Sequence, residues 1–413
     1  MKALGVAKFG GTSVRDAEAI RNCVQLVKDS PSVGVVVVSA TSQTTNHLEN
    51  VASLDSIEES LEALDKIWER HFGLARDLGG DQALNGIISD LYGEGKMLVE
   101  KVHHEGTLSL ECMDQIYSLG ERLSSALFTF ALESLCPDYD VHYWDARHLV
   151  KTNSDFGKAL PIIDEVEKEV QSSLVPLFEK SEVGRVVIVT QGFIGSDTLG
   201  RTTTLGREGS DFSAALLAAA IEAKELRIWT DVKGILTTDP RLFSGAKPIP
   251  EMNYEMATKV ARLGAKVLFP ETLAPVQNKG IPVFVGHSLF PHIGGTWIKK
   301  DANLERFFSM VVKKNLFLVE DGDTGEKVET SGGCLWLVEK ATPHEVLKKV
   351  SKISIVSPFI GKGLLDLESL NERFFLGSLP FFVINFKDDI LTFLVENDNC
   401  ESVLEDLHRF LPC

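Results

Sequence analysis

Short runs of β-branched residues alternate with amphipathic helical windows from the N-terminus to about residue 300. The predicted strands are Leu4–Phe9, Val33–Ala40, Val141–Trp144, Arg185–Thr190, Leu226–Thr230 and Ile281–Val285. The predicted helices are Asp16–Lys28, Ser56–Leu78, Gln115–Leu135, Asp164–Glu179 and Asp211–Ala223. This alternation predicts βαβ units, and hence a mostly parallel α/β sheet covered by helices on both faces. We therefore expect ligands beyond the carboxyl ends of the strands.

The tail of the chain contains an internal repeat. Leu335–Glu339 followed by Val346-Leu347 matches Thr392–Glu396 followed by Val403-Leu404 at a constant offset of 57 residues. Each copy is predicted to form a strand, a polar turn and a short helix. The alternative is a chance echo in a chain rich in Leu and Val. Two related copies predict a paired accessory region of α+β type.

Composition restricts the class of protein. Lys and Arg total 42 while Asp and Glu total 59, so the net charge is −17. This charge argues against a nucleic-acid-binding protein and against binding to acidic membranes. No run approaches the roughly 18 apolar residues of a membrane span, and Lys8 with the glycines behind it interrupts any signal-peptide core. The six scattered cysteines, without a CxxC pair, predict a reducing, cytoplasmic location and no structural zinc site.

The first candidate site is the segment KFGGTSV at Lys8–Val14, where the first strand runs into a helix. A lysine at the end of a buried strand needs a carboxylate or a bound anion beside it. Gly10 and Gly11 allow backbone N–H groups to approach a ligand closely, and the helix N-terminus favours phosphate. The alternative is a tight glycine turn whose lysine reaches solvent.

The second candidate site is the loop Gly200–Asp211, which combines threonines, glycines and arginines just ahead of an apolar helix. Ser210 or Asp211 is a natural N-cap for that helix, which is the purely structural interpretation. Capping does not explain the arginines or the density of glycine. The loop therefore indicates an anion site, in which Asp211 supplies a carboxylate for Lys8 or for a metal.

A third cluster, Trp229–Arg241, lies at a strand end and continues into a polar turn, for which a simple loop is the alternative. Ser39 and Thr45 follow the second strand, and Glu121 lies in a helix; each is a weak signal alone. The sequence contains no P-loop, no strand-borne GxGxxG and no GxSxG. These absences argue against a Walker-type NTPase, a dinucleotide dehydrogenase and an α/β-hydrolase.

Taken together, these segments resemble the signatures of the aspartate kinases, which have the amino-acid kinase fold. The matching segments, in the family's order, are Lys8–Val14, Lys151–Gly157 (KTNSDFG), Gln191–Gly195 (QGFIG), Thr203–Asp211 (TTLGREGSD), Trp229–Arg241 (WTDVKGILTTDPR) and Gly264–Leu273 (GAKVLFPETL). The resemblance covers nearly all of the first 300 residues. It implies an αβα sandwich as catalytic domain at 1–302 and a pair of ACT-like regulatory modules at 303–413.

The resemblance also implies a reaction. ATP, with Mg²⁺ bridging its phosphates, would donate its γ-phosphoryl group to the side-chain carboxylate of L-aspartate, at the start of lysine, threonine and methionine synthesis. By similarity, Lys8 neutralises charge on the γ-phosphate, and Gly10 and Gly11 hold its oxygens. Asp211 orients Lys8, and Ser210 lies beside it. A homodimer through the C-terminal region and an amino-acid effector are the expected partners.

Binding roles follow from the same resemblance. Arg207 matches an arginine that holds a substrate carboxylate, and Glu121 matches a residue that receives the α-ammonium group of aspartate. Ser39 and Thr45 correspond to residues lining the aspartate side. The residues that correspond to the nucleotide pocket are Thr230, Asp231, Leu236, Arg241 and Lys266. No direct protein ligand to a metal is expected.

The sequence departs from the family pattern in two places. Family members usually have glycine where Glu208 stands, so a negative side chain enters the donor loop. The interval Glu320–Thr330 has almost no apolar residues and predicts a turn where relatives place a helix. Inhibition by lysine or threonine is therefore expected to be weak or absent.

Two other functions are open at this point. One is another amino-acid or carbamate kinase of the same fold, although the TTLGR and WTDV segments favour aspartate. The other is a catalytically inactive amino-acid sensor, against which the joint presence of Lys8, Arg207 and Asp211 argues.

Overall fold

The computed structural model describes residues 4–180, 184–265, 270–304, 308–319, 325–330, 333–341, 346–361, 381–387 and 389–411. The chain forms two compact units, Met1–Lys233 with Glu271–Lys300, and Gly234–Pro270 with Asp301–Cys413. Residues 234–270 thus group with the tail, whereas the sequence assigns them to the catalytic domain. The functional division at 302/303 stays a prediction. No helix of the described ranges is long and apolar enough to cross a membrane.

The strands alternate with helices in the first part of the chain and dominate its tail. The strands are β1 (Gly5–Phe9), β2 (Val33–Val38), β3 (Tyr139–Trp144), β4 (Arg185–Gln191), β5 (Ile194–Ser196), β6 (Thr202–Thr204), β7 (Glu225–Thr230), β8 (Glu251–Met252), β9 (Val283–His287), β10 (Gly295–Ile298), β11 (Ser309–Val319), β12 (Glu326–Thr330), β13 (Gly333–Val338), β14 (Lys348–Val356), β15 (Phe381–Lys387) and β16 (Ile390–Glu396). The helices are α1 (Ala17–Lys28), α2 (Thr44–Ser53), α3 (Ile57–Leu78), α4 (Gln82–Glu105), α5 (Leu110–Leu135), α6 (Ala146–Leu149), α7 (Ile163–Ser173), α8 (Val175–Lys180), α9 (Gly209–Ala220), α10 (Tyr254–Arg262), α11 (Pro270–Lys279), α12 (Pro358–Gly361) and α13 (Cys400–Phe410).

The main sheet of the first unit has the strand order β3-β4-β2-β1-β7-β9-β10. All these neighbours pair in parallel except β9 and β10. The mostly parallel sheet predicted from the sequence is therefore confirmed. Every residue of β2 is buried, as expected for a central parallel strand with helices on both faces. Its carboxyl end, with those of β1, β4 and β7, forms one edge of the sheet.

Packing, rather than local propensity, decides the helices of the first unit. The sequence pattern does not predict α4, which contains Gly86, Gly93 and Gly95. This helix nevertheless forms because its apolar face packs into the core, where Trp68 of α3 donates a 2.9 Å hydrogen bond to the carbonyl of Ile88. The predicted helix 164–179 is interrupted between α7 and α8, as expected where Pro176 removes a backbone N–H donor.

The second unit contains an antiparallel sheet of order β12-β13-β11-β14-β16-β15. The helix predicted around Val403-Leu404 is confirmed as α13, whose buried apolar residues pack on this sheet. Its counterpart in the first copy of the repeat is not a helix at Val346-Leu347, where the chain leads directly into β14.

The turn predicted for residues 320–330 is wrong over Glu326–Thr330, which forms β12 and pairs with β13. Val328 is buried while Glu326 and Lys327 are exposed, so this very polar segment contributes one apolar side chain to the core. Residues 320–324 lie outside the described ranges. The C-terminal region is thus an antiparallel sheet with helices, as expected for ACT-like modules.

Candidate active site

Lys8 lies on β1, between β2 and β7, with its ammonium group inside the protein. Its side chain is 8% exposed, and its Nζ lies 2.6 Å from Oδ1 of Asp211, whose side chain is 6% exposed. A buried ammonium group requires a negative partner, so the carboxylate expected from the sequence is present. Because an ammonium group carries three N–H donors, this ion pair leaves Lys8 able to meet a further anion.

The turn after β1 contains Gly10 and Gly11, and close backbone approach requires glycine at the second position. The N–H of Gly10 donates to the carbonyl of Trp229, at 3.0 Å. A Cβ atom on Gly11 would lie only 2.7 Å from the carbonyl oxygen of Ala40, a distance that no side chain tolerates. Lys8 Nζ lies 3.4 Å from the position of a Cβ on Gly10, so this turn runs directly beside the ammonium group.

Ser210 and Asp211 lie in the first turn of α9, which begins at Gly209. Neither residue caps the helix, so the capping interpretation is wrong. The N-cap is Glu208, which makes no side-chain capping bond and has φ 55° and ψ 24°. This left-handed conformation favours glycine, and it gives a physical reason why glycine suits this position. A Cβ atom on Gly192, which follows β4, would lie 2.5 Å from the Cβ of Ser210.

Glu121 lies on α5 and is 3% exposed. One carboxylate oxygen accepts a 3.4 Å hydrogen bond from the N–H of Ala40, the residue against the Gly11 turn. Its other oxygen, Oε2, is buried without a hydrogen-bond partner among the described residues. Burial raises the pKa of this carboxyl to about 8. A buried carboxylate with an unused acceptor is suited to receive a cationic group.

Ser39 and Thr45 border the same edge of the sheet. The N–H of Ser39 donates to the carbonyl of Phe9, at 3.1 Å, and Thr45 is half-buried in the first turn of α2. The loop between them is held by buried Thr41, whose hydroxyl lies 3.1 Å from Nε2 of His71. Burial lowers the pKa of His71 to about 4, so its ring is neutral at pH 7.

Asp114 is a buried carboxylate that the sequence pattern does not identify. It accepts hydrogen bonds from the N–H of Gly157 (2.9 Å to Oδ2) and from the N–H (2.9 Å) and hydroxyl (2.6 Å) of Thr204. Arg207 lies in the exposed loop that follows Thr204. The spacing of seven residues between Asp114 and Glu121, which puts both on one face of α5, is the signal that would have found it.

The residues assigned to the nucleotide are divided between the two units. In the first unit, the hydroxyl of Thr230 donates to Asp231 at 3.2 Å, at the end of β7. In the second unit, Leu236 is half-buried and Arg241 is exposed, with its guanidinium 2.6 Å from the carboxylate of Asp239. Of these residues, Thr230, Asp231 and Arg241 are polar, and Leu236 offers an apolar side chain.

Lys266, the remaining residue assigned to the nucleotide, lies outside the described residues. Within the described ranges, no group of three or more His, Cys, Asp or Glu side chains is placed to hold a metal ion. An ion such as Mg²⁺ that keeps its waters and is bound mainly by phosphate oxygens does not require such a group.

The chain is similar to known proteins over most of its length. The amino acid kinase family model matches residues 4–287. Lysine-sensitive aspartokinase 3 of Escherichia coli (strain K12) is 38% identical over 322 residues, which cover 77% of this chain and 69% of that protein. The crystal structure of E. coli aspartokinase III with aspartate and ADP matches with a TM-score of 0.82 and 30% identity, over 98% of this chain and 99% of that chain. The E. coli aspartokinase III structure with lysine and aspartate matches with a TM-score of 0.85 and 31% identity, over 99% of both chains.

Proposed function

The chain belongs to the amino acid kinase family and, within it, to the aspartokinases, and on this premise we propose the activity and the residue roles that follow. The protein catalyses ATP-dependent phosphorylation of the side-chain carboxylate of L-aspartate, giving aspartyl phosphate for the synthesis of lysine through diaminopimelate, and of threonine and methionine. The observation that carries the residue roles is the buried Lys8–Asp211 pair beside the Gly10-Gly11 turn.

Phosphoryl transfer to a carboxylate brings two anions together, so the protein must supply positive charge and position rather than covalent chemistry. Lys8 stabilises the charge that develops on the γ-phosphate in the transition state. Asp211 holds the ammonium group in place, Gly11 offers its backbone N–H to the phosphate oxygens, and Ser210 lies at the start of α9. The N–H of Gly10, to which the sequence assigned the same role, donates in this structure to the carbonyl of Trp229. Gly11 is needed because a Cβ at this position would lie 2.7 Å from the carbonyl oxygen of Ala40.

Aspartate is bound by groups of opposite charge. Glu121 receives the α-ammonium group at its unpartnered oxygen. Arg207 binds a carboxylate of the substrate, where the planar guanidinium forms two parallel hydrogen bonds. Ser39 and Thr45 line the side of the pocket that faces aspartate.

The resemblance to the family supplies the candidates for binding ATP. The residues proposed for this role are Thr230, Asp231, Leu236, Arg241 and Lys266. Mg²⁺ bound to ATP would reduce the negative charge of its phosphates. Further parts of the proposal are a homodimer through residues 303–413, an amino-acid effector site in the same region and a cytoplasmic location.

The test is a hydroxamate assay. Purified protein with Mg·ATP, L-aspartate and hydroxylamine should form aspartyl hydroxamate, because hydroxylamine traps an acyl phosphate. The control is Lys8→Ala, which removes the ammonium group. Product no higher than in this control would refute the activity. Aspartate binding without product would favour the inactive sensor, and faster reaction with another amino acid or with carbamate would favour a different kinase of the fold.

A further inference from the structure

Asp114 ties three segments of the first unit together. Its side chain is completely buried on α5, with 0% exposure, and it accepts hydrogen bonds from Gly157 and from both the backbone and the side chain of Thr204. Three separate N–H and O–H donors thus converge on one carboxylate. Burial raises the pKa of this carboxyl, while the hydrogen bonds lower it.

The donors to Asp114 belong to the strand that leads to Arg207 and to a segment that lies against Gly206, the residue before it. Thr204 ends β6, and Arg207 follows it by three residues. The carbonyl oxygen of Gly157 lies 3.4 Å from the position of a Cβ on Gly206, whose φ of 75° makes the turn before Arg207. The position of Arg207 therefore depends on the segment that Asp114 anchors.

We propose that Asp114 is a positioning residue for aspartate binding, which holds the 205–207 loop so that the Arg207 guanidinium meets the substrate carboxylate. This inference rests on the proposed role of Arg207. The carboxylate itself does not contact substrate in this scheme. It fixes the backbone at Gly157 and Thr204, and an arginine on a shifted loop would lose one or both of its paired hydrogen bonds.

Asp197 provides a matched comparison at the other end of the β5–β6 hairpin. It is 1% exposed and accepts hydrogen bonds from Leu199, from Arg201 and from the hydroxyl of Ser154. Asp197 is therefore buried and hydrogen-bonded much as Asp114 is, but it holds the closed turn of the hairpin rather than the strand end that leads to Arg207. A general loss of hairpin stability would appear in variants of either residue.

The experiment measures KM for aspartate, KM for ATP and kcat in three variants. Asp114→Ala should raise KM for aspartate about tenfold or more and leave KM for ATP within about twofold, since misplacing a substrate-positioning group by about 1 Å is costly. Asp114→Asn should restore KM to near the wild-type value. Its amide oxygen can accept from both backbone N–H groups, while its NH₂ group donates to the Thr204 hydroxyl. Asp197→Ala should leave KM for aspartate nearly unchanged.

A double-mutant cycle with Arg207→Ala separates this inference from the role of Arg207. If Asp114 acts through Arg207, Asp114→Ala should raise KM much less in the Arg207→Ala background than in the wild type. Full additivity would overturn the inference, as would equal effects of Asp114→Ala and Asp197→Ala. An unchanged KM in Arg207→Ala alone would refute the proposed role of Arg207, and with it the inference.

A milder variant keeps the test available if Asp114→Ala does not fold. Thr204→Val removes one donor to Asp114 and keeps the size of the side chain. It should raise KM for aspartate by about threefold, with a smaller effect on KM for ATP, because one hydrogen bond to a buried carboxylate is lost. Equal changes in both KM values would overturn the inference.

Discussion

Two ion pairs, one in each unit of the molecule, differ sharply in how far they are buried. In the first unit, Lys8 and Asp211 form an ion pair with side chains 8% and 6% exposed. In the second unit, Lys313 on β11 pairs with Glu339, and these side chains are 51% and 69% exposed. A buried pair carries a large desolvation cost and is retained where a charge is needed, whereas exposed pairs contribute little to stability. The buried Lys8–Asp211 pair therefore lies where we propose that a charge is used, and the exposed Lys313–Glu339 pair is typical of a solvated surface.

Lys8→Met should have the largest effect on this contrast. The substitution removes the positive charge that we propose stabilises the transition state, and it leaves Asp211 buried without its partner. The kcat should therefore fall by about 10²- to 10³-fold. Melting temperature should also fall, because an unpaired buried charge is destabilising. Steady-state kinetics and calorimetry measure both. A variant that keeps half of the wild-type kcat would show that the buried pair is structural only.

Glu121→Gln should weaken aspartate binding, with KM about tenfold higher and a smaller change in kcat. Since the pKa of Glu121 is about 8 in the free protein, this carboxyl is protonated at pH 7. Binding an ammonium group requires the carboxylate, so aspartate should release close to one proton at pH 7, and its affinity should rise as pH approaches 8. Titration calorimetry in buffers of different ionisation enthalpy measures this release, which Glu121→Gln should abolish.

The same pKa predicts a pH dependence of stability. The pKa of Glu121 in the folded protein lies above the ordinary value of 4.5. The contribution of Glu121 to the free energy of unfolding is therefore complete below pH 4.5 and is lost as the pH rises through about 8. Glu121→Gln should remove this part of the pH dependence. Glu62→Gln, at an exposed position on α3, is the control and should change neither KM nor the pH dependence. Proton release that persists in Glu121→Gln would assign the titration to another group.

Glu208→Gly should stabilise the first unit. Glu208 adopts a left-handed backbone, which glycine adopts without strain, although glycine also gains freedom in the unfolded chain. The expected net gain is about 0.5 to 1 kcal/mol in the free energy of unfolding, measured by urea denaturation. Glu208→Ala removes the charge but keeps the strain, so it should give no such gain. Equal gains in both variants would make the charge, not the backbone, responsible.

Lysine should have little effect on activity, in contrast to the relative named lysine-sensitive. In the described part of the first module, residues Glu326–Thr330 form the strand β12 and not the helix that the family resemblance leads one to expect. An activity titration should show no half-inhibition below about 1 mM lysine, the range of weak binding. Strong inhibition at that concentration would show that the tail retains an effector pocket, and threonine provides a second effector to compare.

Lys313→Gln should have the smallest effect. The ion pair with Glu339 is exposed, so its loss should leave melting temperature and kcat unchanged within error. Calorimetry beside Lys8→Met makes the comparison direct. A drop in melting temperature similar to that of Lys8→Met would show that burial does not distinguish the two pairs.

The sequence by itself determined the parts of this protein that depend on local pattern. Continuous β-branched runs such as Val33–Val38 predict parallel strands, and these form because such residues are stable only when buried on both faces. A lysine ending a buried strand predicts a nearby carboxylate, and Lys8 meets Asp211. In each case, the type of the residue and its neighbours in the sequence show whether burial is favourable or needs a partner of opposite charge.

Tertiary structure alone decided the features that depend on distant partners. The glycines of α4 oppose a helix until its apolar face is packed, and the very polar segment Glu326–Thr330 becomes a strand because β13 supplies its hydrogen bonds. Asp114 looks like an ordinary helix-surface residue until Gly157 and Thr204 are folded onto it. A polar group can be buried only where donors from other segments reach it, and those donors are brought together by the fold, not by their spacing along the chain.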